Sequence, residues 1–269
     1  MFFLLLKLEM ETVISSRENR TIKRIKNLIR KKKEKRIFLL EGIKIIEEAI
    51  ASGYNFIYLV ISSAFAEKNK KTVSWLKEKN FPCQLVSPKI FSFLSELTTP
   101  PGILGLAQVK EYTEIINPDS VFLLIDDLQD PGNLGTIFRL GQGFGVSAIY
   151  LSSNSVSPFN SKVIRASMGS VLQVRFFDRI NLEEKINQLK QKNVTIYAAN
   201  PSSGKNIEQV KFMLPLAIVL GNESMGISNK VDSLVHQRMR IPLRNKLDSI
   251  NVSSAAAIIL YQINQQIDF

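Results

Sequence analysis

Three short polar segments in the C-terminal half of the chain carry residue types that suit a ligand site. Residues 127–135 contain Asn133, residues 220–226 contain Glu223, and residues 241–253 contain Ser249 and Asn251. Each segment follows or contains an apolar, strand-like stretch and leads into small or polar residues. Loops of this kind at the carboxyl edge of an α/β sheet are where such proteins bind ligands. We therefore expect the three segments to form one site.

Each segment alone has an ordinary structural alternative. Residues 130–135 could form a plain strand-to-helix turn, with Asn133 as helix N-cap and Pro131 fixing the backbone. The glycine-rich loop 221–226 could likewise be a simple turn. The run Gly141-Gln142-Gly143-Phe144-Gly145 could suggest dinucleotide binding, but it follows a predicted helix and precedes a strand. That order is the reverse of the dinucleotide-binding motif, so this alternative is weak.

The three segments together resemble the motifs of the SpoU (TrmH-like) family, RNA ribose 2′-O-methyltransferases of the knotted SPOUT superfamily. Residues 157–169 are similar to the stretch that precedes the third strand of the family's catalytic domain. The sequence departs from the family at Asn245, where glycine is usual, which affects the expected loop shape. The residues that carry the resemblance are Asn133, Gly135 and Arg139, then Gly221 and Glu223, then Pro242, Ser249, Asn251 and Ser253.

The resemblance implies an enzyme that uses S-adenosylmethionine, has a knotted parallel-sheet α/β domain and forms a homodimer through that domain. It implies a catalytic set of Arg139, Asn133, Glu223, Ser249 and Asn251. It implies that Leu220, Gly221, Asn222, Ile241, Leu243, Ile250 and Ser253 bind the cofactor, and that Arg165 contacts RNA. Loops led by Gly221, Ile241 and Ile250 can bring main-chain groups close to such a cofactor.

Methyl transfer to a ribose hydroxyl needs in-line placement of donor and acceptor, and help for a weak nucleophile that must lose its proton. Because guanidinium groups stay protonated in proteins, we expect Arg139 to stabilise a phosphate or an alkoxide rather than to act as the base. Asn133 and Ser249 would order the hydroxyl. Glu223 would hold Arg139 or Asn133 in place. The alternative for Glu223 is a surface ion pair, which contributes little.

Alternation of strands and helices predicts two α/β domains, residues 1–112 and 113–269, joined by a polar linker at 111–120. In the second domain we predict strands at 121–125, 148–151, 172–176, 194–198, 216–220 and 239–242, and helices at 134–141, 161–166, 182–191 and 252–265. Residues 16–19, 38–42, 47–49 and 99–103 are similar to the family's smaller RNA-binding domain, which resembles a ribosomal protein.

Residues 20–36 combine an apolar stripe at helical spacing with many basic side chains, which predicts a basic amphipathic helix. The formal net charge of the chain is +11, and such an excess favours polyanionic partners. We assign RNA binding to this helix, with Arg30, Lys32 and Lys33 as candidate contacts. The alternative is a basic face that is merely exposed to solvent.

One cysteine, Cys83, and one histidine, His236, exclude an intramolecular disulfide and the usual zinc sites. The apolar run Phe2–Leu6 is too short for a signal peptide or a membrane span, so we expect a cytoplasmic, metal-free protein without a membrane segment. The predicted function is ribose 2′-O-methylation of structured RNA, with ribosomal RNA as the expected substrate. A transfer-RNA methyltransferase and a non-catalytic RNA-binding homologue are the alternatives, and the complete catalytic set favours an active enzyme.

Overall fold

The computed structural model describes residues 12–244 and 247–267. The apolar run Phe2–Leu6 and the departure at Asn245 lie outside these residues. The chain divides into two compact units, Met1–Glu111 and Tyr112–Phe269.

The first unit is a four-stranded sheet with helices packed on it. Its strand order is β1-β4-β2-β3; β4 is antiparallel to β1 and β2, and β3 is parallel to β2. The elements are α1 (Arg20–Arg30), β1 (Ile37–Glu41), α2 (Ile43–Ala51), β2 (Phe56–Ser62), α3 (Ser63–Lys68), α4 (Lys70–Glu78), β3 (Cys83–Val86), α5 (Pro88–Leu94) and β4 (Ile103–Gln108).

Helix α1 confirms the predicted apolar stripe but is shorter than predicted. Ile22, Ile25 and Ile29 are buried in the core of the first unit, and the Asn19 side chain caps the first turn by accepting from the Thr21 N–H. Residues 31–36 form turns instead of continuing the helix. These six residues include no apolar side chain, so a further helical turn would bury nothing and is not stabilised by packing.

The second unit is a seven-stranded sheet in the order β7-β6-β5-β10-β8-β11-β9, and every strand pair in it is parallel. This confirms the predicted parallel α/β domain. The elements are β5 (Val121–Ile125), α6 (Pro131–Gly143), β6 (Ala148–Ser152), α7 (Ser161–Ala166), β7 (Phe176–Ile180), α8 (Leu182–Gln191), β8 (Thr195–Ala199), β9 (Lys205–Asn206), β10 (Leu216–Leu220), α9 (Asn229–Asp232), β11 (Gln237–Arg240) and α10 (Val252–Gln266).

The strand order places a switch point between β5 and β10. From β5 the chain continues to β6 and β7 on one side, whereas β10, β8 and β11 lie on the other. Both β5 and β10 are buried along their whole length. Because all strands are parallel, the loops after β5, β10 and β11 leave from the same sheet edge, which is where α/β sheets bind ligands.

The strand predicted at 172–176 is wrong. Residues Ser170–Leu172 form a 3-10 turn, and β7 begins only at Phe176. Met168 and Gly169 adopt positive φ angles, 48° and 93°, and reverse the chain before this segment. Val171 and Leu172 are nevertheless buried, so these apolar residues belong to a buried turn and not to a strand.

Other predicted boundaries shift by a few residues. Helix α6 starts at Pro131, three residues before the predicted start, and β11 ends at Arg240, before Pro242. Proline has no N–H to donate to a sheet, which accounts for the earlier end. Within residues 12–244 and 247–267, no helix is both long and apolar enough to cross a bilayer.

Candidate functional site

A cavity of about 330 Å³ opens at the carboxyl edge of the sheet in the second unit, at the ends of β8, β10 and β11. The predicted cofactor residues that line it are Leu220, Gly221, Asn222, Ile241, Leu243 and Ile250. Ser253 lies outside its lining. The predicted catalytic residues Glu223, Ser249 and Asn251 also line the cavity, so the structure brings the second and third segments together around one space.

The cavity offers apolar walls and available main-chain groups. Met239, Ala255 and Ile259 contribute apolar surface, and the volume lies within the range of small-molecule sites. No other described residue hydrogen-bonds to the main chain of Ile241 or Ile250. These peptide groups are therefore available to a ligand whose polar edges need donors and acceptors.

Gly221 is required by close packing of the loop that forms one wall. A Cβ at this position would lie 2.4 Å from the Gly226 carbonyl oxygen. Main-chain bonds between Asn222 and Gly226, 2.9 and 3.0 Å long, close the loop. The Asn222 side chain accepts from the N–H groups of Ser224 and Met225, and donates to the Asp127 carbonyl at 2.7 Å. The loop is thereby tied to the segment that follows β5.

A chain of side-chain hydrogen bonds joins all three segments. Asn133 Nδ2 donates to Glu223 Oε1 at 3.0 Å, and Asn251 Nδ2 donates to Asn133 Oδ1 at 2.8 Å. Asn251 Oδ1 in turn caps α10 by accepting from the N–H of Ser253 at 2.9 Å. Because a carboxylate only accepts, the orientation of both amides is fixed along this chain. We call Glu223, Asn133 and Asn251 the amide chain.

Glu223 is held by three donors. Its Oε1 also accepts from the Asp130 N–H at 3.0 Å, and its Oε2 accepts from the Gln129 N–H at 3.2 Å. Partial burial pushes the pKa of Glu223 up, but the Asn133 side chain and backbone N–H donors outweigh it and lower the pKa below the ordinary value. The carboxylate is therefore charged at neutral pH and fixes the start of α6.

Two sequence-based interpretations of this region are wrong. The N-cap of α6 is Asp130, whose side chain accepts from the Asn133 N–H at 2.8 Å, so the capping role considered for Asn133 belongs to another residue. Glu223 forms no ion pair with another described residue, so the surface ion pair is not found. It binds Asn133, one of the two partners predicted for it.

Arg139 does not join the amide chain. Its side chain is exposed on α6 and makes no hydrogen bond or ion pair with another described residue. Arg139 is six residues beyond Asn133 on the helix. Relative to Asn133 it is therefore displaced by about 9 Å along the helix axis and rotated by about 120° around that axis. The prediction that Glu223 could hold Arg139 is therefore not realised, and the guanidinium faces outward.

The remaining predicted residues have different surroundings. Arg165 is exposed on α7, which packs so closely on α6 that a Cβ on Gly135 would lie 2.4 Å from the Ala166 Cβ. In the first unit, Arg30 and Lys33 are exposed. Lys32 is different, because its ammonium group forms an ion pair with Glu96 and its side chain is only 16% exposed.

Sequence reasoning missed two features of the site. Asn200 and Pro201, which line the cavity, directly follow the parallel strand β8, and their position after a strand was the available signal. Asp126, directly after β5, is buried and accepts from the Ser228 N–H at 2.8 Å, fixing the far end of the 221–228 loop. Among the described residues, no three potential metal ligands cluster together.

Comparison with known families follows the division into two units. Residues 120–261 match the SpoU rRNA Methylase family, and residues 19–105 match the MRM3-like substrate binding domain. The chain therefore belongs to the SpoU rRNA methylase family, which confirms the resemblance seen in the motifs.

Individual relatives extend over nearly the whole chain. The 23S rRNA (guanosine(2553)-2′-O)-methyltransferase RlmP of Bacillus subtilis is 29% identical over 252 residues, covering 93% of this chain and 98% of RlmP. A crystal structure of an RNA 2′-O ribose methyltransferase is 28% identical with a TM-score of 0.75, over 95% of this chain and 99% of that one. The AdoMet-bound rRNA methyltransferase of Sinorhizobium meliloti is 22% identical and has a TM-score of 0.81, over 96% of this chain and 99% of that one. It supports the fold alone.

Proposed function

We propose that this protein transfers a methyl group from S-adenosylmethionine to a ribose 2′-hydroxyl of ribosomal RNA. The observation that carries the proposal is the amide chain, which ties the loops after β5 and β10 to the start of α10 around one cavity. Membership of the SpoU rRNA methylase family supports the reaction class. The name of RlmP, a relative that matches from end to end, supports a ribosomal substrate.

The cavity suits S-adenosylmethionine by its donor set. The main chain of Ile241, Leu243 and Ile250, to which no other described residue hydrogen-bonds, would hold the adenine and its ribose, and Gly221 lets the loop wall approach closely. S-adenosylmethionine supplies an activated methyl group from its sulfonium centre. The Glu223 carboxylate at the rim would favour a positively charged ligand there.

The chain's own residues would then position and activate the ribose hydroxyl. Asn133 uses one Nδ2 hydrogen and its Oδ1 within the amide chain, and its buried side chain lies outside the cavity lining, so it would act by holding Glu223 and Asn251 in position. The Ser249 hydroxyl lines the cavity and bonds to no other described residue. Ser249 can order the 2′-hydroxyl, whose proton would pass to solvent water as the methyl group is transferred. The Arg139 side chain, exposed and bonded to no other described residue, would stabilise a phosphate adjacent to the reacting ribose.

We also propose that the second unit is a knotted SPOUT domain that dimerises through its own surface, with the domain boundary at 112/113. Ile258 and Tyr261 on α10 are 41% and 55% exposed, and this apolar surface supports a partner subunit there. Sedimentation should give a dimer at micromolar concentration, and a monomer would contradict this part of the proposal. The relative RlmP is bacterial, and bacterial ribosomes lie in the cytoplasm, so we propose a cytoplasmic location for the protein.

Transfer RNA is the weaker alternative substrate, because the N-terminal unit matches a substrate-binding domain and RlmP is named for 23S rRNA. The non-catalytic alternative is disfavoured by the intact amide chain. Purified protein should transfer labelled methyl groups to ribosomal RNA, recovered after alkaline hydrolysis as dinucleotides that resist cleavage. Label appearing only in transfer RNA would overturn the substrate, and no label in either RNA would overturn the activity.

A further inference from the structure

The first unit contains a second concave site, formed by α1, α5 and the segment before α1. This hollow has a volume of about 640 Å³ and is lined by Arg17, Lys26, Asn27, Arg30 and Phe93, among others. We call it the Phe93 hollow. It is separate from the cavity of the second unit and shares no residue with it.

Two cations lie against the aromatic ring in this hollow. The Arg17 guanidinium carbon lies 4.4 Å from the centre of the Phe93 ring, and the Lys26 ammonium nitrogen lies 4.7 Å from it. Lys26 also donates to the Phe93 carbonyl at 2.7 Å, which fixes its position. An aromatic ring held among cations is the arrangement that stacks a nucleobase and neutralises its phosphate.

The positive charge in the hollow is not cancelled by the carboxylates at its rim. Glu18 pairs with Lys23, and Glu96 pairs with Lys32. Arg17, Lys26 and Arg30 form no ion pair with any carboxylate of the described residues. These three cations are therefore available to an anionic ligand.

The hollow also contains a polar group that can contact a base edge. Asn27 Oδ1 accepts from the Arg30 guanidinium at 3.1 Å, which orients the amide. The Asn27 Nδ2 group then remains as a donor, since no described residue accepts from it. Such a donor suits the carbonyl or ring-nitrogen acceptors of an unpaired base.

We propose that the Phe93 hollow binds one unpaired nucleotide of the substrate RNA, with its base stacked on Phe93 and its phosphate held by Lys26 and Arg30. The Arg17 guanidinium lies over the ring, so it must move outward for the base to stack on Phe93; Arg17 is exposed, and its long side chain can then cover the other face of the base. A base inside a duplex could not reach the ring, so the hollow selects RNA with an unpaired nucleotide. This inference rests on the proposed function, because it assigns a recognition subsite for the same RNA.

The test compares binding of single-stranded oligouridylate with binding of a blunt, fully paired RNA duplex to the full chain. Phe93→Leu keeps an apolar side chain for the core but removes the stacking face. We expect it to weaken oligouridylate binding about 5- to 100-fold and duplex binding less than about twofold. Phe81→Leu is the matched control, because Phe81 packs edge-on against Phe56 outside the hollow and should leave both affinities unchanged.

Phe93→Trp in a Trp75→Phe background gives a second measurement that does not depend on the leucine variant folding. Oligouridylate should quench the indole emission, because the base stacks on the ring. The proposal would be overturned if Phe93→Leu weakened oligouridylate and duplex binding equally, or weakened neither. Absence of quenching in the tryptophan variant would also overturn it.

Methyl transfer separates this proposal from the proposed function. In Phe93→Leu, KM for ribosomal RNA should rise while kcat stays near the original value, as expected for lost substrate binding. If wild-type protein methylates RNA and Phe93→Leu has an unchanged KM, the hollow is not a subsite but the function stands. If wild-type protein methylates no RNA while Phe93 still controls oligouridylate binding, the function fails and the hollow stands.

Discussion

Replacing Asn133 by aspartate should break the amide chain without changing the size of the side chain. Asn133 Nδ2 now donates to Glu223 Oε1 at 3.0 Å, whereas the aspartate would place a second carboxylate against the first. The bond from Asn251 to the other oxygen can persist, because that oxygen still accepts. The variant therefore isolates one contact between the loops after β5 and β10.

The expected loss has two parts. A hydrogen bond to a charged group contributes about 1.5–3 kcal/mol, and the exposure of Glu223 places this one at the lower end. Two unit charges about 3 Å apart repel by about 1–2 kcal/mol when water screens them well. We expect the free energy of unfolding of the second unit to fall by about 2–4 kcal/mol at pH 8.

The loss should shrink as the pH falls. Repulsion between the two carboxylates raises the pKa of one of them in the folded variant above its unfolded value. The folded state then binds a proton that the unfolded state does not, so stability relative to wild type rises as pH falls from 8 toward 5. Asn160→Asp is the matched control, because the Asn160 side chain accepts from the Lys162 N–H and donates to no described residue, and a carboxylate accepts equally well.

Chemical denaturation of the full chain can follow both units. The only tryptophan, Trp75, lies in the first unit, so its fluorescence reports on that unit while circular dichroism reports on both. Asn133→Asp should shift the dichroism transition and leave the Trp75 transition in place. Stability equal to wild type at pH 8, or an equal deficit at pH 8 and pH 5, would refute the proposed role of this contact.

Three further outcomes are expected. Arg139→Ala should lower methyl transfer by orders of magnitude, and calorimetry should show unchanged cofactor affinity. Arg139→Lys should restore little of the methyl transfer, because lysine lacks the planar guanidinium fork of arginine. A fully active lysine variant would contradict this prediction. Gly221→Ala should abolish cofactor binding in the same assay, because its Cβ would collide with the Gly226 carbonyl. Replacing three exposed basic residues after α1 by glutamate should weaken RNA binding. It should also flatten the dependence of RNA affinity on log salt concentration. These residues are Lys31, Lys33 and Lys35.

Local patterns were enough to predict the central elements of the second unit. The buried strands Val121–Ile125 and Leu216–Leu220 and the helix Leu182–Gln191 have the bounds that apolar periodicity gives them. The two-residue strand Lys205–Asn206 has no periodicity to detect, since it is polar and forms only by pairing with β11. The strand predicted at 172–176 is wrong because the apolar residues Leu172 and Val174 are buried although they lie outside any strand.

The candidate site was predictable as a set of residues but not as a network. The three segments could be identified because small and polar residues follow apolar strands. The partner of Glu223 could not, because Asn133 lies 90 residues away and only the parallel sheet brings the two loops together. The same limit applies to Lys32, whose ion pair with Glu96 spans 64 residues and removes it from the free basic surface.

Mapping ribose methylation across ribosomal RNA in cells tests the central claim most directly. Cells lacking the protein should lose 2′-O-methylation at one ribosomal position, and the wild-type gene should restore it. The Arg139→Ala variant should be made at normal levels and restore nothing. Unchanged ribosomal methylation in the deletion strain, or full restoration by Arg139→Ala, would contradict the account.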